Sequence, residues 1–108
     1  MTTAKMPRWS LGELRALAKH GMVRPTKESE RFLVSYYDAD PKEVIAAVMG
    51  QMTENDFVRS YELADRPGTM ADVYVGGSYG ESEWYVKALI ENDALSLQMR
   101  SMALDGLR

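Results

Sequence analysis

The sequence predicts an α+β domain in which N-terminal helices pack on a small antiparallel β-sheet. Three observations predict it. Apolar residues recur at helical spacing as far as Gly50, and from Phe57 the pattern alternates instead. Helices first and strands second place a helical layer on one face of a sheet. The chain has 108 residues, enough by size scaling for one core and not two. Residues 1–108 therefore read as a single domain, structured over about residues 9–102, with 1–8 and 103–108 expected to fray.

The first helix carries both of its end signals. Ser10 and Glu13 form an S-x-x-E capping box, and Trp9 before them reads as a hydrophobic staple. Leu11, Leu14, Leu17 and Ala18 share one face, and Gly21 supplies the left-handed stop. Lys19 and His20 sit in the last turn, where positive charge suits the dipole, so His20 reads as a capping or surface residue. Residues 28–37, with Phe32, Leu33 and Tyr36 in a stripe, are expected to form a short helix. Asp40-Pro41-Lys42-Glu43 starts the next one with an N-cap, a proline at the first position and an acid in the first turn. Val44, Ala47 and Val48 follow on one face, and Gly50 is expected to end it. Thr53, Glu54, Asn55 and Asp56 form a further cap with at most one helical turn. Strands are expected at 57–64, 70–75, 83–91 and 94–102, with Asp65-Arg66-Pro67-Gly68 as a turn and 76–80 as a flexible glycine-rich loop.

The last two strands are joined by Asn92-Asp93, residues that tolerate the positive φ of a type I′ turn. A two-residue loop sets the register. Glu91 then faces Ala94, Ile90 faces Leu95, Leu89 faces Ser96, and Ala88 faces Leu97. Lys87 faces Gln98, Val86 faces Met99, and Tyr85 faces Arg100. One face is Val86, Ala88, Ile90, Leu95, Leu97 and Met99, which packs on the helices. The other carries Tyr85, Lys87, Ser96, Gln98 and Arg100, two cations and a tyrosine with no acid among them. Such a set suits a phosphate backbone and a stacked base, with a solvated outer face as the alternative.

Composition narrows the chemistry. With no cysteine and one histidine, a disulfide scaffold, a thiolate zinc site and a cysteine nucleophile are excluded, and neither metal nor cofactor is expected. No apolar run is long enough to cross a membrane, and the start of the chain lacks a secretory signal, so a cytoplasmic protein is expected. The net charge of −3 and pI near 5.1 argue against bulk binding to nucleic acid. The distribution is uneven, however. Lys5, Arg8, Arg15, Lys19 and Arg24 face only Glu13 in the first 24 residues, and acids dominate the remainder. Any polyanion site must be local.

Several short stretches resemble the MqsR (motility quorum-sensing regulator) family. Leu14-Arg15-Ala16-Leu17-Ala18-Lys19-His20-Gly21-Met22-Val23-Arg24 is similar to that family's L-x-x-x-G-x-V-R. The run Met52-Thr53-Glu54-Asn55-Asp56-Phe57-Val58-Arg59-Ser60 resembles its L-(S/T)-x-x-D-F-Y-K-S stretch. Asp72-Val73-Tyr74 matches its D-V-Y, and Trp84-Tyr85-Val86-Lys87 its V-Y-(L/I)-K. The closing stretch 92–100 is similar to its final strand, and the whole resemblance covers about residues 10–102. It implies a RelE-like fold and a ribosome-independent mRNA interferase, the toxin of a type II pair, whose partners are mRNA and a cognate antitoxin.

Carried over residue by residue, the resemblance puts a family lysine on Arg59 and the late lysine on Arg100, and retains the tyrosine as Tyr85 with Lys87 beside it. The family's glutamine before D-V-Y falls on Ala71 and the aromatic before it on Met70, two departures. Candidate catalytic residues are thus Arg59, Tyr85, Lys87 and Arg100, with Gln98, Tyr74 and Arg24 as candidate RNA contacts. Metal-free RNA cleavage needs a base at the 2′-hydroxyl, an acid at the leaving oxygen and cations for the phosphorane. Tyr85 is a candidate to supply a proton or a stacking surface; a tyrosine ordinarily titrates near pH 10, so a base role requires the cations to lower it. The competing expectation is a non-catalytic protein of the same fold, binding a protein partner through the acids Glu28, Glu30, Asp38, Asp40 and Glu43.

Overall fold

Capping chemistry sets the helices of the computed structural model, which describes residues 3–105. Helix α1 (Leu11–Lys19) starts where Ser10 Oγ accepts the Glu13 N–H at 3.3 Å, and the chain leaves it through Gly21 at φ 72°. Helix α2 (Lys27–Tyr37) is capped by Thr26, whose Oγ1 accepts from Ser29 N at 3.2 Å. Helix α3 (Pro41–Gln51) is capped by Asp40, which accepts from Lys42 N at 3.1 Å. Gly50 does not end α3. An interior glycine costs only about 1 kcal/mol, and nothing lies near its missing side chain. Glu54–Asp56 is the single helical turn expected there, closed by Asp56 Oδ2 on Thr53 N at 2.8 Å.

The sheet has the order β1-β3-β4-β5-β6-β2, comprising β1 (Thr3–Ala4), β2 (Val23–Pro25), β3 (Phe57–Leu63), β4 (Arg66–Tyr79), β5 (Ser82–Glu91) and β6 (Ala94–Ser101). The α+β class holds, but the sheet is mixed rather than antiparallel throughout, because β2 runs parallel to β6. Leu95 N donates to Met22 O at 2.8 Å and Thr26 N to Leu97 O at 2.9 Å, and Pro25 sits on an edge where its missing N–H is harmless. The expected ends also change. Thr3 and Ala4 pair with Tyr61 and Ser60, and Met102–Asp105 forms a short helix, α4; residues 106–108 lie outside the described residues.

The region expected as loop at 76–80 belongs to β4 as far as Tyr79. Its glycines serve close approach. A Cβ on Gly76 would lie 2.7 Å from the Asp56 carboxyl carbon, and one on Gly77, at φ 66°, would lie 2.9 Å from the Val48 carbonyl oxygen. The turn before β4 is likewise shorter than expected: strand pairing resumes at Arg66, opposite Leu63. By contrast, the β5–β6 register is as the two-residue turn dictates, from Glu91–Ala94 to Tyr85–Arg100, with Asn92 at φ 50° and Asp93 at φ 60°.

The three long helices cover one face of the sheet. Leu14, Leu33, Val44, Ile45, Val48 and Met49 from the helices meet Trp84, Val86, Ala88, Leu95, Leu97 and Met99 from the strands. Two buried polar residues in this layer, Asp72 and Ser29, are tied across elements, while the buried Ser60 hydroxyl has no hydrogen-bond partner among the described residues. Asp72 accepts the N–H groups of Arg8 (2.9 Å) and Trp9 (2.8 Å), fastening the segment before α1 to β4. Ser29 accepts Met99 N at 2.9 Å, fastening α2 to β6. On the opposite face, termed the open face, Arg59 and Arg100 are exposed, while Ala71, Val73 and Leu89 are buried.

Candidate nucleic-acid interface

The open face is built by alternation along three strands and one irregularity in a fourth. A register shift between Phe57 and Arg59 in β3 puts Phe57 against Tyr74, with ring centroids 5.5 Å apart. It puts Arg59 opposite Val73. Because paired residues share a face, Arg59, Val73, Lys87 and Gln98 form one row across β3, β4, β5 and β6. Val75, Tyr85 and Arg100 form the row beside it. Four expected catalytic residues thus come together: Arg59, Tyr85, Lys87 and Arg100. Gln98 joins them. Arg24, exposed and paired with Ser96, lies on the same face at the β2 edge.

Tyr74 does not belong to this site. It pairs with Val86 on the helical side and is 1% exposed, so it is a core residue and not an RNA contact. The alternation expected for the strand at 70–75 already separates Tyr74 from Val73 and Val75, but the D-V-Y match alone says nothing of which side faces the helices. The face is also less free of acids than the hairpin register implied. Glu91 lies at its end, ion-paired with Arg66.

The residue that sequence reasoning missed is Tyr61. It stands two positions from Arg59 on β3 and so shares its face. The Arg59 guanidinium lies 5.5 Å and the Lys87 ammonium 5.7 Å from its ring centroid. The Arg100 guanidinium lies 4.7 Å from the centroid of Tyr85. Cations over aromatic faces at these distances are attracted by the ring quadrupole. Alternation from Arg59 along its own strand was the signal that finds Tyr61.

The electrostatics of Tyr85 run against a base role. Burial raises its pKa above the ordinary 10.0, and the charge of Tyr61 and a hydrogen bond with that phenol raise it further. Lys87 and Arg100 pull it down, and they are outweighed. Tyr85 is therefore a neutral phenol at physiological pH, a proton donor and not a base. Ala71 is fully buried and packs with Leu63, Leu89 and Trp9.

Among the described residues, no three His, Asp or Glu side chains are grouped to hold a metal ion, and no helix is long and apolar enough to cross a membrane. No known protein-family model matches the chain, and no curated protein matches it in sequence. Function has to come from the chemistry of the site itself.

Proposed function

We propose that the protein is a metal-independent endoribonuclease that cuts mRNA, a cytoplasmic toxin of the MqsR type held in check by a cognate antitoxin. The observation that carries this reading is the gathering of Arg59, Lys87 and Arg100 around the paired phenols Tyr61 and Tyr85 on the open face. In a chain of net charge −3, such a patch is a local anion site. The cleavage that suits it is attack of the 2′-oxygen on phosphorus, its proton passing to solvent water, with rupture of the P–O5′ bond, leaving a 2′,3′-cyclic phosphate and a 5′-hydroxyl. The three cations stabilise the charge of the phosphorane, and arginine's planar fork suits two phosphate oxygens at once. Tyr85, kept protonated by burial and by Tyr61, supplies the proton to the departing 5′-oxygen.

A second reading has its own support. The buried Ala71 offers nothing polar where the family has glutamine, and Glu28, Glu30, Asp38, Asp40 and Glu43 are all exposed. These favour a non-catalytic protein that binds a basic partner through its acidic surface. Incubation of purified protein with a long RNA, with and without chelator, separates the two. Discrete cuts that survive the chelator are expected; intact RNA at high protein concentration leaves the binding protein.

A further inference from the structure

A cleft of about 170 Å³ opens on the sheet face next to the cationic cluster. Leu63 and Leu89 line it as buried apolar residues, 8% and 5% exposed. Around them stand Lys87, Ser96 and Gln98 from the β5–β6 hairpin and, at the β3–β4 turn, Asp65. Lys87 belongs to both places: it lines the cleft, and its ammonium is one of the two cations at the Tyr61 ring. A group bound in the cleft is therefore a direct neighbour of whatever anion the cluster holds.

This combination is unusual for the outer face of a sheet, where apolar side chains normally give way to solvated ones. Buried leucines offer a flat apolar contact. Gln98 presents one acceptor and two donor hydrogens, Ser96 a hydroxyl, and Asp65 acceptors only. The Arg66 guanidinium, which also lines the cleft, is engaged by Glu91, so Asp65 does not compete with that carboxylate for it. The ligand chemistry that fits is a planar ring with a polar edge carrying at least one N–H donor, attached to a phosphate.

We propose that the cleft seats one nucleobase beside the phosphate held by Arg59, Lys87 and Arg100, and that Asp65 and Gln98 select a base with an exocyclic amino group on its Watson–Crick edge. The proposal rests on the ribonuclease reading for its biological setting and extends it to substrate choice. A carboxylate accepts from an amino group and is repelled by the carbonyl oxygens that flank the uracil N–H, so uracil is the base disfavoured.

The test uses the full chain and the four ribonucleoside 3′-monophosphates, with inorganic phosphate as a probe of the cationic cluster alone. Binding is followed by NMR shifts of the Gln98 side-chain amide and by calorimetry. The guanosine, cytidine and adenosine nucleotides are expected to bind roughly tenfold or more tightly than the uridine nucleotide, with their order showing which amino-bearing base is preferred. Asp65→Asn, conservative at an exposed turn, is expected to erase that difference while leaving phosphate binding unchanged. Gln98→Ala is expected to weaken all four nucleotides and spare phosphate. Equal binding of the four nucleotides, or discrimination that survives Asp65→Asn, overturns the proposal. Base discrimination in a protein that leaves RNA intact supports the cleft and refutes the ribonuclease. RNA cutting without any base discrimination overturns the cleft and keeps the ribonuclease.

Discussion

Tyr85 carries the chemistry that most depends on its surroundings. Burial and the neighbouring Tyr61 phenol outweigh two cations and hold its proton above the ordinary tyrosine range. The double change Tyr85→Phe with Arg100→Ala removes the proposed proton donor and one proposed anion contact. It is expected to abolish growth arrest on expression while leaving the thermal unfolding midpoint nearly unchanged. Full toxicity in that variant would rule out this site. The pH dependence follows from the same shift. Cleavage that needs neutral Tyr85 is expected to persist through neutral pH and to fall only above pH 10, measured as initial rate on a short RNA. Tyr74 behaves differently because it serves the core. Burial, with Asp72 and Glu54 nearby, pushes its pKa up to about 12. Its folded value exceeds the unfolded one, so its contribution is complete below pH 10 and is lost as pH rises toward 12. The loss amounts to roughly 2–3 kcal/mol. Denaturant midpoints compared between the protein and Tyr74→Phe should show a smaller alkaline decline in the variant.

Among the elements, β4 shows how a composition signal misleads. Gly76 and Gly77 belong to a paired strand that comes unusually close to its helical cover. Gly77→Ala must adopt a positive φ and also push a Cβ against the Val48 carbonyl. We expect a loss of about 2 kcal/mol or more, read as a lower denaturant midpoint at unchanged slope. Were Gly77 in a free loop, the same substitution would be nearly silent. The β5–β6 hairpin shows the reverse case. Its turn chemistry, its alternation and the observed pairing all agree, so each side chain's face was legible before any coordinates.

At the scale of the whole molecule, one buried carboxylate fastens the segment before α1 to the middle of the sheet. Asp72 accepts two backbone N–H groups, and Trp9 adds an Nε1–H bond to the Met70 carbonyl at 2.9 Å. Hydrogen bonds to a charged acceptor contribute about 1.5–3 kcal/mol each. Asp72→Ala is expected to lower stability by roughly 3 kcal/mol or more and to speed hydrogen exchange at the Arg8 and Trp9 amides. Exchange unchanged at those two positions would show that the fastening is elsewhere.

What the sequence determined by itself is whatever depends on near neighbours: the Ser10, Thr26 and Asp40 ends of the helices, the Asn92-Asp93 turn, and through that turn the cationic face of Tyr85, Lys87 and Arg100. These are contacts within a few residues, where the identity of the side chain decides the backbone. Only the tertiary structure decided the rest. The three residues of β2 are too few to show alternation, and their partner lies some seventy residues away in β6. Tyr74 is buried because its strand turns it, with its partner Val86, into the core that the helices cover. The upward shift of Tyr85 comes first from burial and then from Tyr61, a phenol from a strand not adjacent to its own. Burial and charge act through space, so a net charge of −3 says nothing of where Arg59, Lys87 and Arg100 gather, and the sheet brings them to one face.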